Sequence, residues 1–212
     1  MPNWVHNNLS ITGTDQDVQA VKNALSAPFE RVFSNYVDGE YVRETKVVEQ
    51  TFSFWNIVRP EGEARIKYDE SLGAPSASPF WYDWNCANWG TKWDADAELT
   101  EHAADHLQYV FDTAWSPPID ALTALGSRFP EVHIELEWEE EQGFGGTIVF
   151  SGGAAEVTDE YDIPTSHEEM WDRKGYCHCE GYDEKIFADC PIEEADETML
   201  IPANEIDVEA LV

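Results

Sequence analysis

Positive charge is what this chain has least of: lysine and arginine together number 12 against 43 aspartates and glutamates, a formal net charge of −31. That imbalance leaves no basic groove for a phosphate backbone, so direct nucleic-acid binding is not expected. Long apolar runs are also missing. No stretch approaches the roughly 18 residues that cross a bilayer, and the opening Met1-Pro2-Asn3 carries no basic leader, which points to the cytoplasm and away from a membrane. Cysteine is sparse, with Cys86, Cys177, Cys179 and Cys190 the whole set. Without a leader these read as free thiols or metal ligands, not as a disulfide framework. The chain has no G-x-S-x-G, H-E-x-x-H or Walker sequence. Carboxylates are so common that an acid–base pair drawn from the sequence would carry no information, and no catalytic residue is assigned.

What is abundant is aromatic side chains: 9 Trp, 8 Tyr and 10 Phe within a 42% hydrophobic composition. This supplies a real core, so the acidity does not imply a wholly disordered chain. The charge is unevenly spread. Residues 153–212 hold eighteen acids and three bases, while residues 1–152 hold twenty-five and nine. The sequence therefore divides into a first domain over 1–152 and an acidic C-terminal extension over 153–212.

Hydrophobic periodicity sets the expected elements. Residues 4–11 alternate apolar and polar, as in a half-buried strand. Thr14 or Asp15 can cap a helix running to about Ala27 and closed by Pro28, with Val18, Val21 and Leu25 on one face. Residues 47–58 read as a second strand and 62–79 as a loop broken at Gly73-Ala74-Pro75-Ser76. Residues 108–115 form a third strand. Pro118 then opens a helix whose apolar face is Ile119, Leu122 and Leu125. Residues 132–141 place Val132, Ile134, Leu136 and Trp138 inward, and Gly143-Phe144-Gly145-Gly146 turns the chain into residues 147–151. The expected fold class is α+β, an antiparallel sheet with helices on one face.

Several blocks resemble the YubB-type proteins of phages and plasmids. They are Met1-Pro2-Asn3-Trp4-Val5, Phe54-Trp55-Asn56-Ile57-Val58-Arg59-Pro60, Asn88-Trp89-Gly90-Thr91-Lys92-Trp93, Phe111-Asp112-Thr113-Ala114-Trp115-Ser116-Pro117-Pro118 and the glycine-rich hairpin. The resemblance covers about residues 1–152 and implies a mobile-element origin and a ferredoxin-like domain. It implies no activity and no cofactor, because "ferredoxin-like" names a topology and these cysteines lack iron–sulfur spacing.

Three features carry candidate function. On a strand, outward residues two apart stand about 6.6 Å apart, so Glu135, Glu137 and Glu139 make a row of negative charge, continued by Glu140 and Glu141. Such a row suits the basic surface of a host protein and imitates the field of DNA; solvation or salt adaptation explains the same residues without a partner. The favoured reading is a phage-encoded, non-enzymatic binding protein that engages a host nucleic-acid-binding or defence enzyme. Next, six aromatics crowd residues 80–93. Trp89, Trp93, Trp115 and Trp138 are expected in the core, while Trp81, Asp83, Asn88 and Arg59 outline the pocket that an enzyme or small-ligand protein would need. Finally, Cys177, His178, Cys179 and Cys190 offer zinc donors, with His167 available to complete a tetrahedral set, against the plainer account of half-buried thiols in a loop. Residues 192–212 suit an added strand or a segment that folds on a partner. A structural role in the virion, where acidity serves only solubility, is a further alternative.

Overall fold

The computed structural model describes residues 3–73, 79–181 and 185–191, and the readings of 192–212 lie outside them. The chain divides into two compact units, Met1–Asp162 and Ile163–Val212. In the first, β1 (Trp4–Thr12) leads into α1 (Asp15–Leu25), whose N-cap Thr14 accepts a hydrogen bond from the backbone N–H of Asp17. Val18, Val21 and Leu25 form the buried face of α1, as the periodicity predicts. Strands β2 (Phe29–Val37) and β3 (Glu40–Val48) make a separate two-stranded ribbon. Three helices follow: α2 (Phe54–Ile57), α3 (Gly62–Ser71) and α4 (Phe80–Trp89). The chain then returns through β4 (Glu98–His102), β5 (His106–Ala114), α5 (Ile119–Arg128), β6 (His133–Glu140), β7 (Gly145–Ser151) and β8 (Ala154–Tyr161).

Six strands form one antiparallel sheet in the order β4-β5-β1-β6-β7-β8. Within it, β1-α1-β4-β5-α5-β6 is a β-α-β-β-α-β chain with β1 lying between β5 and β6, the split arrangement of ferredoxin-like folds. The ribbon and helices α2 to α4 are inserted after α1, and β7 and β8 extend the sheet beyond β6. The fold is therefore α+β with antiparallel sheets. Ala154–Tyr161 belongs to the sheet of the first unit although it lies past residue 152.

Every second side chain on the central strands enters the core: Leu9 and Ile11, Leu107, Tyr109 and Phe111, Ile134 and Leu136, Ile148 and Phe150. They pack with the apolar faces of α1 and α5 and with Phe52, Phe54, Trp55, Tyr68 and Trp89. The strand positions that alternate with these lie on the other side of the sheet.

Several expectations change. Residues 47–58 are not one strand, since β3 ends at Val48 and Ser53 caps the short α2 by accepting from the N–H of Trp55. Residues 62–71 are helical, not loop. Ile119 is exposed, and Ala121 and Gly126 join Leu122 and Leu125 on the buried face of α5. Gly126 faces Phe150, where an added Cβ would sit in ordinary contact at 3.4 Å.

Trp89 is buried and Trp138 partly so, but Trp93 and Trp115 are exposed. Gly90, at φ 79°, ends α4 in a left-handed turn that carries the chain out before Trp93. Trp115, itself at φ 71°, swings its ring outward to lie 5.0 Å from the Lys92 ammonium.

The second unit, as far as it is described, holds α6 (His167–Lys174) and a single 3-10 turn, His178–Gly181. Ser166 caps α6 by accepting from the N–H of Glu169 at 3.1 Å. Among the described residues no helix is long and apolar enough to cross a membrane.

Candidate functional site

The side of the sheet opposite the core is the first candidate. Pairing across the strands aligns three rows on it. One runs Asp112, His6, Glu139, Gly145 and Tyr161; the next Val110, Asn8, Glu137, Thr147 and Asp159; the third Gln108, Ser10, Glu135, Val149 and Glu156. Glu98 and Glu101 of β4 continue the last two rows, opposite Val110 and Gln108. The six strands contain no lysine or arginine, so nothing cationic on them offsets these carboxylates beyond the histidines.

The acids are held in place. Tyr161 donates its hydroxyl to Glu139 at 3.1 Å, Asn8 donates to Glu137 at 3.3 Å, and Gln108 donates to Asn8 at 2.6 Å. His6 Nδ1 lies 3.0 Å from Asp112 Oδ1. Strand spacing of about 4.8 Å and outward spacing of about 6.6 Å therefore set the carboxylates on a fixed lattice.

Glu135, Glu137 and Glu139 all stand on this face, and Glu141 is exposed just beyond β6. Glu140 does not. It pairs with Val5 on the core side, only 2% exposed, and accepts from Asn3 Nδ2 at 2.5 Å and from the backbone N–H of Gln142 at 2.7 Å. Period-2 geometry forces this alternation, so Glu140 leaves the proposed row.

At the Asp112 end of the face lies a cleft of about 390 Å³ lined by Trp4, Trp93, Asp94, Asp96, Asp112, Thr113 and Ala114. The Trp4 and Trp93 rings are 5.8 Å apart, a tilted pair beside three carboxylates. Asp94 forms the inner wall. Burial pushes its pKa up, opposed by hydrogen bonds from Ser53 and the Phe54 and Ala95 backbone and by the Arg31 guanidinium at 3.3 Å. The pocket outlined from the sequence is not assembled in the described clefts. Arg59 lines a second cleft with Arg128 and Glu61, whereas Trp81, Asp83 and Asn88 of α4 line neither.

The second candidate lies in the second unit. Cys177, Cys179 and Cys190 are all buried in one cluster against Phe187. The ligating atoms of His167, Cys177 and Cys190 all lie within 4.8 Å of one another, and these residues can hold a metal ion. Cys177 Sγ and Cys190 Sγ are 3.8 Å apart. Burial pushes the Cys177 thiol up to about 11. Burial acts the same way on Cys179, but hydrogen bonds from the backbone N–H groups of Phe187 and Ile186 outweigh it and hold that thiol below its usual value. The imidazole in the cluster is that of His167, from the first turn of α6. The side chain of His178 lies outside the described residues.

Against known proteins, the chain is matched in part. Residues 88–180 match the family described as a ferredoxin-like domain in Api92-like protein. What holds of the sequence resemblance is this domain. The match includes the Asn88–Trp93, Phe111–Pro118 and glycine-rich blocks and continues into α6, while the two blocks before residue 61 lie outside it. Among solved structures, the crystal structure of protein api92 from Yersinia pseudotuberculosis aligns with a TM-score of 0.52 at 11% identity, covering 77% of this chain and 99% of that one. At that identity the likeness shows the fold alone. No curated protein matches the chain.

Proposed function

We propose that this is a non-enzymatic binding protein whose open sheet face engages the basic surface of a host protein in the cytoplasm. The observation that carries the reading is the composition of the six strands, which present aligned rows of hydrogen-bonded carboxylates and no lysine or arginine. Scattered acids would serve solubility as well; a fixed lattice of them on one face favours recognition, because its geometry is formed before the partner arrives. The cleft beside Asp112 supplies an anchor. Its two indoles and the mouth carboxylates of Asp96 and Asp112 suit an inserted lysine or arginine side chain, which gains both ion pairing and cation–π attraction.

The concrete version is interception of a nucleic-acid-binding or defence enzyme, since a groove built for phosphates also attracts aligned carboxylates. Direct nucleic-acid binding is disfavoured by the same charge. The test compares three proteins for capture of bacterial lysate proteins: the natural chain, an Asp112→Lys/Glu135→Lys/Glu137→Lys variant, and a Glu63→Lys control on α3. Proteins retained by the natural chain and the control but lost by the triple variant support the proposal. Equal retention by all three contradicts it.

A further inference from the structure

We propose that Cys177, Cys179, Cys190 and His167 bind one zinc ion that closes the second unit. The distances favour it. A tetrahedral site with Zn–S bonds of about 2.3 Å places two thiolates about 3.8 Å apart. The Cys177 and Cys190 sulfurs stand 3.8 Å apart, far outside the roughly 2.05 Å of a disulfide. A histidine nitrogen completes a triangle with these two sulfurs, all within 4.8 Å.

The His167 Nδ1 atom is buried and has no hydrogen-bond partner. An orphaned imidazole nitrogen is costly to bury, and one beside two thiols has an obvious use as a ligand. Its ring is already aimed: Ser166 caps the helix that carries it, Trp171 stacks on it at 5.8 Å, and its backbone N–H donates to Asp189 at 2.9 Å.

Cys179, whose sulfur lies outside that 4.8 Å set but in the same buried cluster, is assigned as the fourth donor. Its sulfur accepts the backbone N–H groups of Ile186 at 3.0 Å and Phe187 at 3.3 Å, the kind of outer contact that supports a metal-bound thiolate. Two turns present the three thiols, one closed by Glu180 N–H to Cys177 C=O and one by Cys190 N–H to Phe187 C=O, each 3.1 Å. Three thiolates and one imidazole make a closed set with no position left for substrate, which assigns a structural ion. The need is physical. Among the described residues of this unit the buried side chains are Pro164, Met170 and the three cysteines, too little apolar material to hold the turns together without a staple.

The test is metal analysis of the full chain, prepared under reducing conditions with any tag removed, followed by exchange of the bound metal for cobalt. The expected result is one zinc per chain and a cobalt form with the intense visible bands of tetrahedral coordination and thiolate charge transfer. Cys190→Ser and His167→Ala should each weaken cobalt binding by more than the roughly 10–100-fold that losing a supporting contact costs. His178→Ala and Cys86→Ser should bind as the natural chain does. Cys179→Ser should lower the charge-transfer intensity, which counts thiolates. Natural protein that carries no zinc and develops no cobalt bands overturns the proposal whatever the variants do. A site that survives His167→Ala but not His178→Ala overturns the ligand assignment.

Discussion

At the residue scale, two neighbouring kinds of glutamate do opposite work. Glu137 faces solvent on the open sheet and its loss removes one charge of the lattice and an exposed hydrogen bond from Asn8, whereas Glu140 is buried and satisfies Asn3 and the Gln142 backbone. Glu140→Ala should therefore cost roughly 1–3 kcal/mol by leaving those donors without an acceptor. Glu137→Ala should stay within about 0.5 kcal/mol of the natural chain, as exposed substitutions do. Urea unfolding of both variants checks this, and equal losses would contradict the assignment of faces. Tyr109 offers a second test. Its hydroxyl is buried without a partner, and burial pushes its pKa up to about 12. Between pH 10 and 12 the unfolded chain releases this proton while the folded chain keeps it, so stability falls as pH rises, by roughly 2–3 kcal/mol in all. Tyr109→Phe should remove that part of the alkaline loss and leave stability at neutral pH equal or higher, measured by urea unfolding across the pH range.

At the scale of elements, what pairs inside and outside decides everything. Gly146 lies between β6 and β8, and an added Cβ there would run into the backbone carbonyl of Asp159. Gly146→Val should detach β8 at a cost of about 1–3 kcal/mol, read as faster amide exchange over residues 154–161 with β1 and β5 still protected. The same strand explains where sequence reasoning stopped. β1, α1, β5, α5 and β6 are legible because each buries one face and so writes its period in apolar residues, such as Val5, Leu9 and Ile11 or Val18, Val21 and Leu25. β8 buries nothing before Tyr161: Ala154 to Glu160 are all exposed, and backbone pairing with a few side-chain hydrogen bonds, not an apolar face, holds the strand, so its acids read as extension. The β2–β3 ribbon is largely exposed as well. α4 hides for the opposite reason. Its aromatics surround the helix, so no stripe marks it. For the sites, the glutamate row at 135, 137 and 139 is legible from alternation, but the sequence reading extends it to Glu140, whose register with Ile134 and Leu136 buries it. The clustering of His167 with cysteines ten and more residues on is tertiary, and spacing alone leaves it undecided between His167 and His178.

At the scale of the whole molecule, the question is what a net charge of −31 is for. Self-repulsion of that size opposes folding, so the open face must either be tolerated or be used. The ferredoxin-like frame bears on this by setting acids of β4, β5, β6 and β8 on one side of the sheet while the cations sit on helices, ribbon and loops. Use requires a partner whose binding depends on charge. The most direct measurement is capture of bacterial lysate on the purified chain at low and at high salt, with retained proteins identified by mass. The account predicts a protein with a strongly basic surface, retained at low salt and released as screening shortens the reach of the face. Retention of nothing, or of proteins that salt does not release, would contradict it.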